Sequence, residues 1–189
     1  MFKSKRIWMS IWLLALIILA SGCTKCVKFN TLPVGTEWGT PAGHSSGDVV
    51  HAEEGIEVSV HDFYWSATRT HLGKTRVGTS FTGSGGLAIN TNNINLEFDF
   101  TDLFLTPDEV VVIFRDTGGY ENISINGSAV LIGELASGST SGVSWTVTDS
   151  PESTNPHNRV GTLIINGDVE KLKIGGQEFW IDSVCAEFP

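Results

Sequence analysis

Turn residues constrain this chain more than any other feature. Beyond residue 22 the apolar residues come in short runs, each cut off by Gly, Asn, Ser or Pro, and no stretch keeps the period of a long amphipathic helix. Ile94 to Phe100 (INLEFDF) sets Ile94, Leu96, Phe98 and Phe100 against Asn95, Glu97 and Asp99, the alternation of a half-buried antiparallel strand. Ile56, Val58 and Val60 alternate in the same way with Glu57, Ser59 and His61. Glu109 to Phe114 (EVVVIF) is continuously apolar and predicts a central strand covered on both faces. Asn126-Gly127, Asn166-Gly167 and Gly175-Gly176 separate such runs, and these residues supply the positive φ of two-residue hairpins. On that basis the last part of the chain reads as a three-stranded meander ending at Cys185. Loops are expected at Gly39–Gly47, Gly78–Gly86, Ala136–Gly142 and Asp149–Asn158. The expectation is an all-β fold: a single antiparallel β-sandwich of jelly-roll type, with about ten strands.

The N-terminus has a different character. Lys3, Lys5 and Arg6 precede an apolar run from Ile7 to Ala20, in which Ser10 is the only polar residue, and Ala20, Ser21 and Gly22 lead into Cys23. This is the three-part pattern of an export signal. The alternative, an uncleaved spanning helix, needs about 20 apolar residues, more than this run supplies. Residues 1–22 are therefore read as the signal, 23–25 as a modified N-terminus with a short tether, and 26–189 as the domain. Removing 22 residues from 189 leaves 167, enough for one domain with a sizeable core. It also removes three of the 12 basic residues, leaving nine against 21 acidic and a net charge of −12. Such a surface repels nucleic acid and leaves carboxylates available to calcium. Two further cysteines, Cys26 and Cys185, stand at opposite ends of an exported domain, so a disulfide is the economical reading and two free thiols the alternative.

LASGC (Leu19 to Cys23) resembles the lipobox of bacterial lipoproteins. The resemblance implies that Cys23 carries diacylglycerol and, after cleavage, a further acyl chain. Thr24 after it, in place of Asp, implies the outer membrane of a diderm cell. CVKFNTLPVGTEW (Cys26 to Trp38) and GGQEFWIDSVC (Gly175 to Cys185) resemble the two ends of a module of secreted bacterial proteins, which again implies a Cys26–Cys185 bond and a sandwich. FWIDSV more loosely resembles the last strand of carbohydrate-binding jelly rolls, in which the residue matching Asp182 can ligate calcium, although Ser183 replaces a second Asp.

Enzyme signatures are sparse: there is no Gly-x-Ser-x-Gly elbow, His-Glu-x-x-His or phosphate loop. Paired carboxylates remain open, and Glu97 and Asp99 share a strand face. His51, His61 and His71 recur every ten residues without a metal-ligand pattern. RDTGGYEN (Arg115 to Asn122) groups Asp116, Glu121 and Asn122 around two glycines, so these three and Asp182 are the candidate calcium ligands, a tight self-capped loop being the alternative. Trp65, Tyr120, Trp145 and Trp180 are the candidate faces for a sugar ring. If Phe179 and Ile181 take the core, Trp180 stands outside beside Asp182, with Trp145 lining the same surface or a neighbouring rim. These residues point to a non-catalytic, lipid-anchored module of the cell envelope that binds polysaccharide. A structural lipoprotein that binds partner proteins is the alternative, followed by a glycan-active enzyme. Labelled palmitate is expected to enter the wild-type protein, while Cys23→Ser accumulates as unlabelled precursor or is released; an unlabelled wild type overturns the lipobox reading.

Overall fold

The computed structural model describes residues 24–82, 86–140 and 142–189; the expected signal and Cys23 lie outside the described residues. Sixteen strands are described. The first six are β1 (Thr24–Val27), β2 (Glu37–Gly39), β3 (Val49–Glu53), β4 (Ile56–Ser66), β5 (Arg69–His71) and β6 (Lys74–Thr79). There follow β7 (Leu87–Asn92), β8 (Ile94–Asp99), β9 (Glu109–Asp116), β10 (Glu121–Ile125) and β11 (Leu131–Gly133). The last five are β12 (Gly138–Thr140), β13 (Val143–Pro151), β14 (Arg159–Asn166), β15 (Lys171–Gly176) and β16 (Phe179–Glu187). Among the described residues a single 3₁₀ turn, Thr40–Ala42, occurs, in the first expected loop.

The strands form two antiparallel sheets packed face to face, the all-β sandwich expected. The larger has the order β12-β13-β14-β9-β16-β7-β6-β2, with β1 also on β16; the smaller has the order β11-β10-β15-β8-β4-β3, with β5 on β4. Side-chain alternation makes the core. Val58 and Val60, Leu96 and Phe98, Leu172 and Ile174 face inward from the smaller sheet, against Val112, Phe114, Leu163, Phe179 and Ile181 from the larger. On the outer face of the smaller sheet, Glu97 pairs with Lys173 at 3.0 Å and Asp99 with Lys171 at 2.6 Å, so these two carboxylates serve as ion-pair partners.

Three local expectations are corrected. The final meander does not form: β14 and β16 belong to the larger sheet, and β15 between them to the smaller. Asn166-Gly167 opens a crossing rather than a hairpin, and Val169 is buried along that crossing. Gly175 and Gly176 lie inside β15, where a side chain at Gly176 would sit 2.6 Å from Phe179 Cβ. β9 is central but alternates, with Val111 and Ile113 half-buried on the outer face. The strand covered on both faces is β10, all five of whose residues are buried.

The cover over β10 comes from β4. Past Asp62, which pairs with Ile94, β4 turns onto the outer face of its own sheet. Asn122 holds it there in place of a strand neighbour: Oδ1 accepts from Tyr64 N–H (2.7 Å) and Nδ2 donates to Tyr64 O (3.0 Å). The Asn95 amide adds bonds to Asp62 O (2.7 Å) and Asn122 Oδ1 (3.1 Å).

The sandwich has two ends. The near end holds Thr24, the Glu54–Gly55 turn, the loop from Phe100 to Asp108 and the Asn166–Glu170 crossing; the far end holds Asn92–Asn93, Thr117–Tyr120 and Gln177–Glu178. Thr24 and Lys25 pair with Glu187 and Ala186, so they belong to the fold and not to a tether. No helix among the described residues is long and apolar enough to cross a membrane. Cys26 and Cys185 face each other in the β1–β16 register and are disulfide-bonded across 159 residues. A loop of that length constrains the unfolded chain by about 5 kcal/mol on the chain-entropy model. Refolded protein is therefore expected to titrate without thiols and to melt at a markedly lower temperature after reduction; two free thiols would contradict the bond.

Candidate functional site

At the far end an open pocket of about 340 Å³ is lined by Asn92, Asn93, Gly118, Gly119, Gln177 and Glu178. Its shape follows from the turn chemistry. Gly118 and Gly119 both have positive φ, and a side chain at Gly119 would meet Gln177 Cβ at 2.6 Å, so glycine lets the two loops close on each other. The closure is reciprocal: Tyr120 N–H donates to Gln177 Oε1 (2.9 Å) and Gln177 N–H to Tyr120 O (3.1 Å). Tyr120, next to Gly119, is 51% exposed.

The pocket continues onto the outer face of the larger sheet. Phe179 and Ile181 are in the core, so Glu178, Trp180 and Asp182 point outward. Trp180 pairs with Asn90 of β7 on one side and Arg115 of β9 on the other, and Asn90 and Asn92 share that face. The indole lies along the sheet. Its ring atoms approach within 3.1 Å of where a Gly78 side chain would begin, yet β7 lies between β16 and β6, and each strand gap is about 4.8 Å. The half-buried indole thus crosses β7 at the level of Ala88, next to Asn90, while Asn92, Glu178 and the pocket follow on the far-end side of Trp180. Asp182 sits at a β-bulge and accepts hydrogen bonds from the Ser80 and Thr82 hydroxyls.

A second pocket, of about 220 Å³, lies between the sheets under residues 131–139, with Glu121 and Trp145 in its wall. Glu121 is on the core face of β10, in line with Ile123 and Ile125, and is 2% exposed. Its Oε2 accepts from Leu135 N–H (3.2 Å), while Oε1 has no hydrogen-bond partner among the described residues. Burial first, and then the charge of Asp116, push its carboxyl up to about 8. Asp116 is on the core face of β9 and is itself raised, chiefly by burial, although Gly118 N–H donates to its Oδ1 at 2.8 Å.

The residues singled out in the sequence are thus distributed over several surfaces. Trp145 is 4% exposed, with Nε1 donating to Ala136 O (2.8 Å), and it faces the core while Trp180 faces outward on the same sheet. The two tryptophans therefore do not line one surface. One face of Trp65 is taken by the Arg69 guanidinium, 5.4 Å from the ring centroid, and Phe63 meets the ring edge-on. The four expected calcium ligands do not converge: Asp116 and Glu121 point between the sheets, Asn122 is spent on the Tyr64 backbone, and Asp182 is outside on the larger sheet. No group of three or more metal-ligating side chains occurs among the described residues. The calcium set therefore does not fit these positions. The histidines are likewise dispersed, with His51 stacked on Trp38 and His61 facing Glu97 at 3.7 Å.

No family model, curated protein or solved structure matches the chain. The reading of the site therefore rests on its own residues. Asn90, Asn92, Asn93, Gln177 and Glu178 were not singled out as site residues in the sequence, where Gly175-Gly176 read as a hairpin turn. Only the alternation around FWIDSV pointed toward them.

The carboxyl pair makes stability depend on pH. Glu121 titrates near 4.5 when unfolded and near 8 when folded, so the native state holds an extra proton between those values. Its contribution is complete below pH 4.5 and is lost as pH rises through 8. Glu121→Gln keeps an amide oxygen for Leu135 N–H and carries no charge. The variant is expected to lose less melting temperature than the wild type between pH 5 and about 8.5. Equal slopes would mean that Glu121 is ionised in the fold.

Proposed function

We propose that the protein is a lipid-anchored, non-catalytic module of the cell envelope that binds an extracellular polysaccharide at its far end. The observation that carries this reading is the outward strip formed by Trp180, Asn90 and Asn92, running through Glu178 into the pocket beside Tyr120. A pyranose has an apolar face of C–H groups and a rim of hydroxyls. The indole suits the first, and the amides and carboxylate suit the second. The carboxyl pair Asp116 and Glu121 lies on the inward faces of β9 and β10 and not on this strip, which favours binding over glycan hydrolysis by that pair.

Glycan binding is expected to perturb tryptophan emission in the domain from Thr24 onward. Loss of one stacked aromatic is worth about 1 kcal/mol, so Trp180→Ala should weaken binding roughly fivefold while the melting temperature changes little. Asn92→Ala tests the polar side of the strip, and Trp65→Ala serves as a control outside it. A glycan panel that leaves the wild type unbound would overturn the proposal.

A further inference from the structure

The loop between β8 and β9 turns its apolar residues in opposite directions. Phe100 is buried and Leu103 packs on the core, while Phe104 and Leu105 are 99% and 47% exposed. Single apolar residues on a surface need no explanation, but here an aromatic side chain is displayed beside a second apolar one on a braced loop. Asp99 Oδ1 accepts from Thr101 N–H (2.9 Å) and Oγ1–H (2.6 Å), and Leu103 N–H donates to Phe100 O (3.1 Å). At the other end of the loop Pro107 is buried and Asp108 N–H donates to Glu187 O (3.2 Å).

That loop shares the near end with the start of the fold. Thr24 pairs with Glu187, which also pairs with Glu109 at the foot of β9. Lys25 Nζ donates to Glu54 O (3.1 Å), and Leu103 Cδ2 lies 3.2 Å from where a side chain on the next residue, Gly55, would begin. Cys23 precedes Thr24 directly, and one residue spans only about 3.8 Å.

We propose that Phe104 and Leu105 form a membrane-contact wedge, seated at the headgroup–acyl boundary of the bilayer that holds the lipid on Cys23. The proposal rests on the reading of Cys23 as the lipid attachment site. With Thr24 already in a strand, the bilayer stands at the near end of the sandwich, where water would otherwise surround these side chains. Insertion to such a depth, roughly 5–10 Å, is what exposed apolar residues of interfacial proteins achieve. The immediate rim is acidic: Asp102, Asp108, Glu170 and Glu187 are exposed around the loop. A zwitterionic surface therefore receives the wedge better than an anionic one.

The test uses full-chain Phe104→Trp, expressed with its lipid, checked by palmitate labelling and reconstituted into phosphatidylcholine vesicles. Emission added by the introduced indole, relative to wild type treated identically, should be lost to lipids brominated near the headgroup end of the chains, and less so when phosphatidylglycerol is added. Leu105→Asp in the same background should restore much of that emission. A labelled protein whose added emission ignores brominated lipid overturns the wedge but leaves the anchor standing. A protein without palmitate overturns both. Shielding of the introduced indole from aqueous iodide in lipid-free detergent, rising with protein concentration, assigns the loop to a second copy and also overturns the wedge.

Discussion

β16 needs hydrogen-bonding neighbours on both sides, and much of the sandwich is arranged to supply them. β9 lines one side throughout, from Phe179 opposite Asp116 to Glu187 opposite Glu109. On the other side β7 accompanies only Phe179 to Ile181, and β1 takes over from Val184 to Glu187. The bulge at Asp182 falls where one partner gives way to the next. Without β1 the lower half of β16 would be an open sheet edge, with unpaired amides beside a buried core. A four-residue strand is a weak cover by itself. The Cys26–Cys185 bond holds it in place by chemistry that survives fraying.

Alternation was the legible part of the sequence. It gives the inward residues of β4 and β8, and it frames the choice for β16 that the core resolves by taking Phe179 and Ile181. Paths between strands were not legible, because a glycine that permits positive φ looks the same in a hairpin and in a crossing. Gly167 has positive φ but leads to the other sheet. Gly175 and Gly176 are glycines for a different reason, since Asn95 and Phe179 occupy the space their side chains would need. Parity across a turn was also out of reach. Asp116 and Glu121 look like exposed loop carboxylates in RDTGGYEN, yet each keeps the inward phase of its own strand. Trp145 resembled a rim aromatic until its strand's phase carried it inward beside Val143.

Division by ends organises the candidate chemistry. The far end gathers side chains with hydrogen-bonding capacity, because the loops there close through glycine and amide contacts instead of apolar packing. The near end gathers the disulfide, the crossing that buries Val169, and the loop that displays Phe104. β16 spans the two with nine residues, roughly 30 Å at strand rise, which places the proposed sugar-binding strip well away from the proposed membrane contact.

The position of the disulfide has a mechanical consequence. On the proposed reading, a polymer held at the far end and dragged by flow would pull along β16, while the proposed anchor at the near end would pull on Thr24 in the opposite direction. β1 runs antiparallel to β16, so this load falls on the whole β1–β16 register in shear and cannot peel it one bond at a time. Two residues past Thr24 the load meets a covalent cross-link, Cys26 to Cys185, and passes directly into the strand that carries Trp180. Traction between the proposed ligand and the proposed anchor would thus be borne by a covalent path that leaves most of the sandwich unloaded.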